Sequence, residues 1–541
     1  MLVSTAPLAA PYVRADKPIT DKDGLVKVII DFAFDAHLKY PGTLPVLPER
    51  GSSDKPKEFF QTEKTLALVA DYERRYGFKR LGMTSWVGNS VTAFVSAETI
   101  AKLTIDPLVA QVSDDSYSDL SQTVQIPPTG WGNSAVGNEW TSWGHQAVNG
   151  KVSTGNTGRK IYIIDSGVAF HDDLPPMTRR NVACGGSGTP CNQINPYLWP
   201  EVGCYAHATH VAGIIGAIAN NDKTIKGAYA GFPNLVSLAV TERLGASNCG
   251  DKIAASGIGN ALDYIAFDAT QNNPNRLVNI ATMSINPGDT FNKPGNNVGA
   301  KWYRVKSLTT TIWSYGVPVQ PGVFFVQSAG NIPDVPVQFG SCDAAYRPGF
   351  AVNALPDDGV MVVSSSHNTG GAVTVTRGFT TYPGVDALPD YKLPSSTYPY
   401  NQGERITASH DGPCTDIYAP GNLILSTWGL HAKVSPADNA RGVVSSSLSG
   451  VLYRGSVSFP IAYGAHVNNA FPTVPPLPTQ GWAFLSGSSM SAPFVAAAAA
   501  WMADVYGYTT PGALELAVRS YATSATIANL GFPGVPVVRM P

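Results

Sequence analysis

Four apolar runs, each about the length of one strand, are separated by amphipathic stretches: KIYIID (Lys160–Asp165), LVSLAV (Leu235–Val240), VNIATMS (Val278–Ser284) and GVFFVQSA (Gly322–Ala329). None alternates polar with apolar residues, so each reads as a strand covered on both faces. Strands of that kind, alternating with helical segments, assemble as a mostly parallel sheet between two helical layers. The expected fold class is therefore α/β, a three-layer arrangement whose chemistry gathers at the carboxyl edge of the sheet.

A chain of 541 residues favours one large domain with a smaller companion. The smaller unit is expected over residues 1–120. Val26–Phe32 is strand-like, Leu66, Val69, Tyr72 and Tyr76 share one helical face, and Val91–Val95 is again strand-like. Ser96 is placed to cap a helix carrying Ile100 and Leu103, and the chain turns at Asp106-Pro107 into Leu108–Val112. This is a small α+β unit. From Ser121 to Gly158 the sequence is Gly-, Pro-, Asn- and Ser-rich without a period, as in a surface linker. The large unit is expected over 121–541, with loop or hairpin insertions near 360–410 and 430–481.

The formal net charge is -2 and no long Lys/Arg run occurs, which excludes nucleic acid and anionic membrane surfaces as expected partners. The longest apolar run, Phe494–Met502, is shorter than the ~18 residues of a membrane span and reads as a buried helix. Six cysteines (Cys184, Cys191, Cys204, Cys249, Cys342, Cys414) contain no CxxC pair, which favours disulfides over zinc and an oxidising compartment. Cys184 and Cys191 flank a short Gly-rich loop and are one candidate pair, leaving the other four to pair among themselves. A secreted or periplasmic location is the expectation, although the start MLVSTAPLAAPYVRADK lacks the pattern of an export signal.

Three segments carry chemistry. Asp165 ends an apolar strand and is followed by a Ser166-Gly167 turn; alone it reads as a turn cap. HATHVAG places His207 and His210 three apart at a helix start, a spacing that also suits a structural pair or, with a third ligand, a metal. SGSSMSAP puts Ser489 after a Gly-containing turn and before an Ala-rich helix, with Pro493 in the expected first turn; alone, Ser489 reads as a helix cap. Together their chain order is Asp, His, Ser, whereas the α/β-hydrolase order begins with Ser in G-x-S-x-G.

DSG at Asp165, HATHVAG at His207 and SGSSMSAP at Ser489 resemble the three signatures of the subtilisin-like serine peptidases. The resemblance implies Asp165, His207 and Ser489 as a catalytic triad, and SAGN (Ser328–Asn331) implies Asn331 as the oxyanion donor. MSINPG resembles the family stretch that pairs with substrate as an added strand, which implies Ser284, Ile285 and Asn286 as substrate-binding residues. Asn286 and Pro287 stand where the family has glycines, and Ala208, Ser488 and Ser491 stand where Gly, Thr and Ala are usual.

The N-terminal unit is similar to the inhibitory propeptide of these enzymes, AQVSDDSYSDL to its exit strand, and SQTV to a mature N-terminus. Self-cleavage is therefore expected between Leu120 and Ser121, or within about ten residues of it. The resemblance further implies a calcium ion held by the side chains of Gln122, Asp173 and Asn221 and the carbonyls of Ala219, Lys223 and Ile225. Expected partners are peptide or protein substrates and the chain's own propeptide, with the enzyme acting as a monomer. Two other functions share these motifs: a silent relative that only binds peptide, and an acyl transferase that excludes water.

Overall fold

The strand candidates become the centre of the fold because each contributes side chains to two cores at once. In the computed structural model, Ile161 and Ile163 of the first strand enter one buried cluster and Tyr162 and Ile164 another, on the opposite face. The structure describes residues 10–15, 18–33, 36, 63–119, 123–124, 134–136, 139–169, 171–183, 206–221, 225–243, 249–285, 299–314, 317–330, 357–366, 374–377, 380–383, 415–421, 424–427, 482–522 and 536–541.

Among the described residues, the N-terminal unit has a five-stranded sheet with the helices Glu63–Tyr76 and Ala97–Thr104 on it. Its elements are β1 (Tyr12–Val13), β2 (Val26–Phe32), α1 (Glu63–Tyr76), β3 (Arg80–Thr84), β4 (Ser90–Val95), α2 (Ala97–Thr104) and β5 (Val109–Asp114), with strand order β1-β5-β2-β4-β3. Leu66, Val69 and Tyr72 of α1 and Ile100 and Leu103 of α2 are buried in one cluster against Val28, Ile30 and Val91. The Ser96 hydroxyl accepts from the Thr99 N–H at 3.1 Å and starts α2. The chain then leaves this sheet through β6 (Tyr117–Asp119) and β7 (Thr123–Val124).

The large unit contains β8 (Ile161–Asp165), β9 (Thr178–Asn181), α3 (Ala206–Gly216), β10 (Leu235–Ala239), β11 (Cys249–Ala254), α4 (Ala255–Gln271), β12 (Asn279–Met283), α5 (Gly299–Thr309), β13 (Val323–Ser328), β14 (Val360–Ser366), β15 (Ile417–Pro420), β16 (Ile424–Thr427), β17 (Trp482–Ser486), α6 (Ser488–Tyr506) and α7 (Pro511–Tyr521). A seven-stranded sheet runs β9-β10-β8-β12-β13-β14-β15, and every pairing in it is parallel. Val211 and Ile215 of α3 and Val495 and Ala499 of α6 pack on one face; Ile258 and Leu262 of α4 and Leu308 of α5 pack on the other. The three layers expected from the apolar runs are present. No helix among the described residues is long and apolar enough to cross a membrane.

Two expectations are corrected. Val360–Ser366 is not the start of an insertion but β14, buried along its whole length between β13 and β15. Its three serines hide it from an apolar-run search, yet a strand flanked on both sides satisfies their backbone groups, and Ser364 bonds the Thr415 hydroxyl at 2.9 Å. Within the expected linker, Trp143–Ala147 is a short helix capped by Ser142. It packs through backbone: a Cβ on Gly144 would come within 2.5 Å of the Phe494 ring, so little hydrophobic period is left to read. Residues 430–481 and five of the six cysteines lie outside the described residues; Cys249 is the first residue of β11.

The two units meet over α4 and α5. The Asp263 carboxylate of α4, fully buried, accepts the backbone N–H groups of Ser85, Trp86 and Val87 in the β3–β4 turn. Burial pushes this carboxyl up to about 7, against the pull of those donors and of the nearby Arg304. Arg304 of α5 pairs with Asp31 of β2. β6 joins β11 as an antiparallel strand, and β7 pairs with β17 at Leu485 and Ser486.

Candidate active site

Asp165 is the last residue of β8, fully buried, and its side chain accepts the next N–H, that of Ser166, at 2.6 Å. Gly167 turns the chain with φ of 100°, a conformation that costs glycine nothing. The loop beyond is tied down by the Val168 N–H to the Ser237 hydroxyl and the Ala169 N–H to the Thr209 hydroxyl, both 2.9 Å. The carboxylate is thereby aimed at α3 before any ligand arrives.

His207 is the second residue of α3, and its Nδ1 lies 2.8 Å from both oxygens of Asp165. Two carboxylate oxygens at Nδ1 fix the proton on that nitrogen and leave Nε2 with its lone pair. Nε2 is buried and has no hydrogen-bond partner among the described residues. His210 plays a different part, its Nε2 bonding the Ile424 carbonyl at 2.9 Å, while the hydroxyls of Ser426 and Thr427 donate to the carbonyls of His210 and Thr209. These bonds dock β16 across α3. Gly213 permits the approach, since a Cβ there would sit 2.3 Å from the Ser426 hydroxyl. His210 is thus bonded to β16, and no cluster of metal-binding His, Cys, Asp or Glu occurs among the described residues.

Ser489 is the second residue of α6, reached from β17 through Gly487 at φ 141°. Its hydroxyl donates to the Ser284 carbonyl at 3.2 Å, and the Ser284 hydroxyl returns a bond to the Ser489 carbonyl at 2.9 Å. The second bond exists because of Pro493. Expected in the first turn, Pro493 sits one turn further in, four residues after Ser489, where it has no N–H to give the Ser489 carbonyl. The freed carbonyl takes Ser284 instead and ties α6 to the end of β12. No hydrogen bond joins Ser489 to His207 in this state, which is common for a serine site without substrate.

Ser488 was legible only as a serine where a threonine is usual, yet it organises the site. Its hydroxyl accepts the Gly330 N–H at 3.0 Å and donates to the Gly330 carbonyl at 3.1 Å. Gly330 follows β13 and precedes Asn331, which lies outside the described residues, so the backbone next to the expected oxyanion donor is pinned to the residue next to Ser489.

A model of the subtilase family of peptidases matches residues 156–533, a span that contains all three of these side chains. The chain belongs to the subtilase family. Among curated subtilase relatives, the alkaline protease of Alkalihalobacillus alcalophilus is 25% identical over 319 residues, 58% of this chain and 65% of that protein. The alkaline serine protease ver112 of Corniculantispora psalliotae is 25% identical over 408 residues, 75% of this chain and 82% of that one. The match thus spans about 65% of the length of the first of these relatives. Fervidolysin from Fervidobacterium pennivorans, described as a keratinolytic enzyme related to subtilisin, shares the fold. Its TM-score is 0.52 at 13% identity, covering 99% of this chain and 62% of its own.

In this subtilase Ser284 and Ile285 are buried just beyond β12, with Ser284 in direct contact with Ser489; Asn286 lies outside the described residues. Of the expected calcium ligands, Asp173, Ala219, Asn221 and Ile225 are described, while Gln122 and Lys223 are not. The Asp173 carboxylate is fully buried, the Asn221 amide donates to it at 3.0 Å, and the Ile225 N–H lies 3.3 Å from it. Carboxylate and amide oxygens are the ligands calcium takes, so Asp173 and Asn221 are of a type that fits such an ion.

Proposed function

We propose that this chain is a secreted serine endopeptidase made as a self-processing precursor. In this reading Ser489 attacks a peptide carbonyl, Nε2 of His207 takes its proton and returns it to the leaving amine, and water then releases the acyl group. Asp165 holds the imidazole tautomer, and the side-chain amide of Asn331 donates to the oxyanion. The observation that carries it is the buried Asp165–His207 contact, which leaves the Nε2 lone pair unshared at the sheet edge where α6 presents Ser489.

Ser284 gives the resting site an order of events. A substrate lying as an added strand beyond β12 offers a backbone N–H to the Ser284 carbonyl, the acceptor the Ser489 hydroxyl now uses. Binding thus releases the hydroxyl toward His207 by a side-chain rotation.

Self-processing at Leu120–Ser121 is supported by chain connectivity. Asp119 pairs with Lys252 of β11, and Thr123 pairs with Ser486, three residues before Ser489. These pairings hold Asp119 on β11 and Thr123 on β17, the strand that leads into α6 and Ser489. The N-terminal unit then acts as an intramolecular inhibitor, and peptides or proteins are the substrates. Calcium, held through Asp173, Asn221 and the carbonyls of Ala219 and Ile225 with Gln122 and Lys223, would brace the loop that follows α3. A secreted or periplasmic setting is supported by an even set of cysteines without CxxC.

The proposal is tested by intact mass and N-terminal sequence of the purified protein beside its Ser489→Ala variant, with digestion of a denatured protein followed in both. The expected result is a wild type that begins at Ser121 and digests, and a full-length inert variant. Two uncut, inert proteins would refute the proposal.

A further inference from the structure

The first turn of α4 is built to receive a carboxylate it does not own. Its N-cap position is Ala254, which has no side-chain acceptor, and no acidic residue occupies its first turn. The N–H groups at the start of a helix need an acceptor from somewhere. In this structure the acceptor comes from the other unit. Asp115 accepts the Ser256 N–H at 3.2 Å through one oxygen and the Ser256 hydroxyl at 2.6 Å through the other. Asp115 is fully buried, and Lys27 of β2, equally buried, balances its charge at 3.2 Å.

This contact continues a strand pairing. Tyr117 pairs with Ala254, Ser118 with Ile253 and Asp119 with Lys252, and the Ala255 N–H donates to the Ser116 carbonyl at 3.2 Å. Asp115 is the next position along the same extended segment. A peptide added to β11 in this register therefore places the side chain two residues before the Ala254 partner onto Ser256 and the positive end of a seventeen-residue helix.

We propose that the junction of β11 and α4 is an outer substrate subsite selective for an acidic side chain, with Ser256 as the residue that reads it. The inference rests on the endopeptidase reading above. It concerns a free peptide once the N-terminal unit has left, when the Ser256 hydroxyl and two N–H groups face solvent and Lys27 is gone. An acidic side chain there gains charge-assisted bonds and the helix dipole, whereas its amide isostere gains neither charge contribution.

The test uses the protein as purified after its own processing, with two peptides. One has the sequence of residues 114–124 (DDSYSDLSQTV); the other carries Asn in place of Asp115. The expected result is a kcat/KM about 3- to 30-fold higher for the acidic peptide, expressed in KM, with the ratio falling toward one in the Ser256→Ala enzyme. Equal kcat/KM for the two peptides in the wild type overturns the proposal, as does a preference that survives Ser256→Ala unchanged. If neither peptide is cut, the endopeptidase reading is what has failed. Anisotropy with fluorescent forms of the same pair then decides the subsite: unequal Kd retains it, and equal Kd removes it.

Discussion

Replacing Ser488 by Ala probes the site where its parts depend on one another most. Ser488 is fully buried, and its hydroxyl bonds Gly330 twice, accepting from its N–H at 3.0 Å and donating to its carbonyl at 3.1 Å. The bond to the Gly330 carbonyl contributes about 1 kcal/mol, and leaving the Gly330 N–H stranded and buried costs about 1–3 kcal/mol. The truncation thus loosens the segment before Asn331 by about 2–4 kcal/mol. Outright loss of an oxyanion donor costs about 10²- to 10³-fold in kcat, which sets the ceiling. Since Gly330 keeps the rest of its surroundings, we expect kcat to fall about 10- to 100-fold with KM nearly unchanged. Steady-state hydrolysis of a peptide p-nitroanilide measures this, with the thermal midpoint followed alongside to separate misfolding from misplacement. Ser488→Thr keeps the hydroxyl and is expected to retain most of the rate. A kcat for Ser488→Ala within about twofold of wild type would refute the argument that this hydroxyl positions the oxyanion side of the site.

Buried carboxylates elsewhere set two more outcomes. Burial, with Asp416 and Asp358 adding like charge, pushes Glu515 up to about 8, while Arg519 pulls it back. A carboxyl whose folded pKa is raised stabilises fully below its unfolded value near 4.5 and loses that contribution as pH rises toward 8. Chemical denaturation between pH 4.5 and 8 should therefore show a falling component that Glu515→Gln removes, and identical slopes in the two proteins would exclude it. For calcium, chelation is expected to lower the thermal midpoint of the processed enzyme, and Asp173→Asn to abolish that response; a midpoint indifferent to chelator rules the ion out.

How far the sequence could be read depended on whether the determinant was local. The places of Asp165, His207 and Ser489 at the ends of their elements were legible because each element's own pattern marks them: an apolar run that stops, a helix that starts, a turn before alanines; their joint role is what the family resemblance implies. Ser96 as a cap and the helical face of Leu66, Val69 and Tyr72 were legible for the same reason. Val360–Ser366 was missed because its burial comes from two neighbouring strands rather than from its own composition.

Local pattern sufficed for the class of fold and for placing Asp165, His207 and Ser489 at the ends of their elements, since hydrophobic period and cap chemistry act within a few residues. Long-range packing was needed to make Ser284, not His207, hold the Ser489 hydroxyl at rest, to let the carbonyl freed by Pro493 take Ser284, and to close Ser488 on Gly330. It likewise put Asp115 on the bare end of α4. These contacts join residues more than a hundred positions apart, and they arise from strand register and helix docking, which minimise the free energy of the whole core rather than of any one segment.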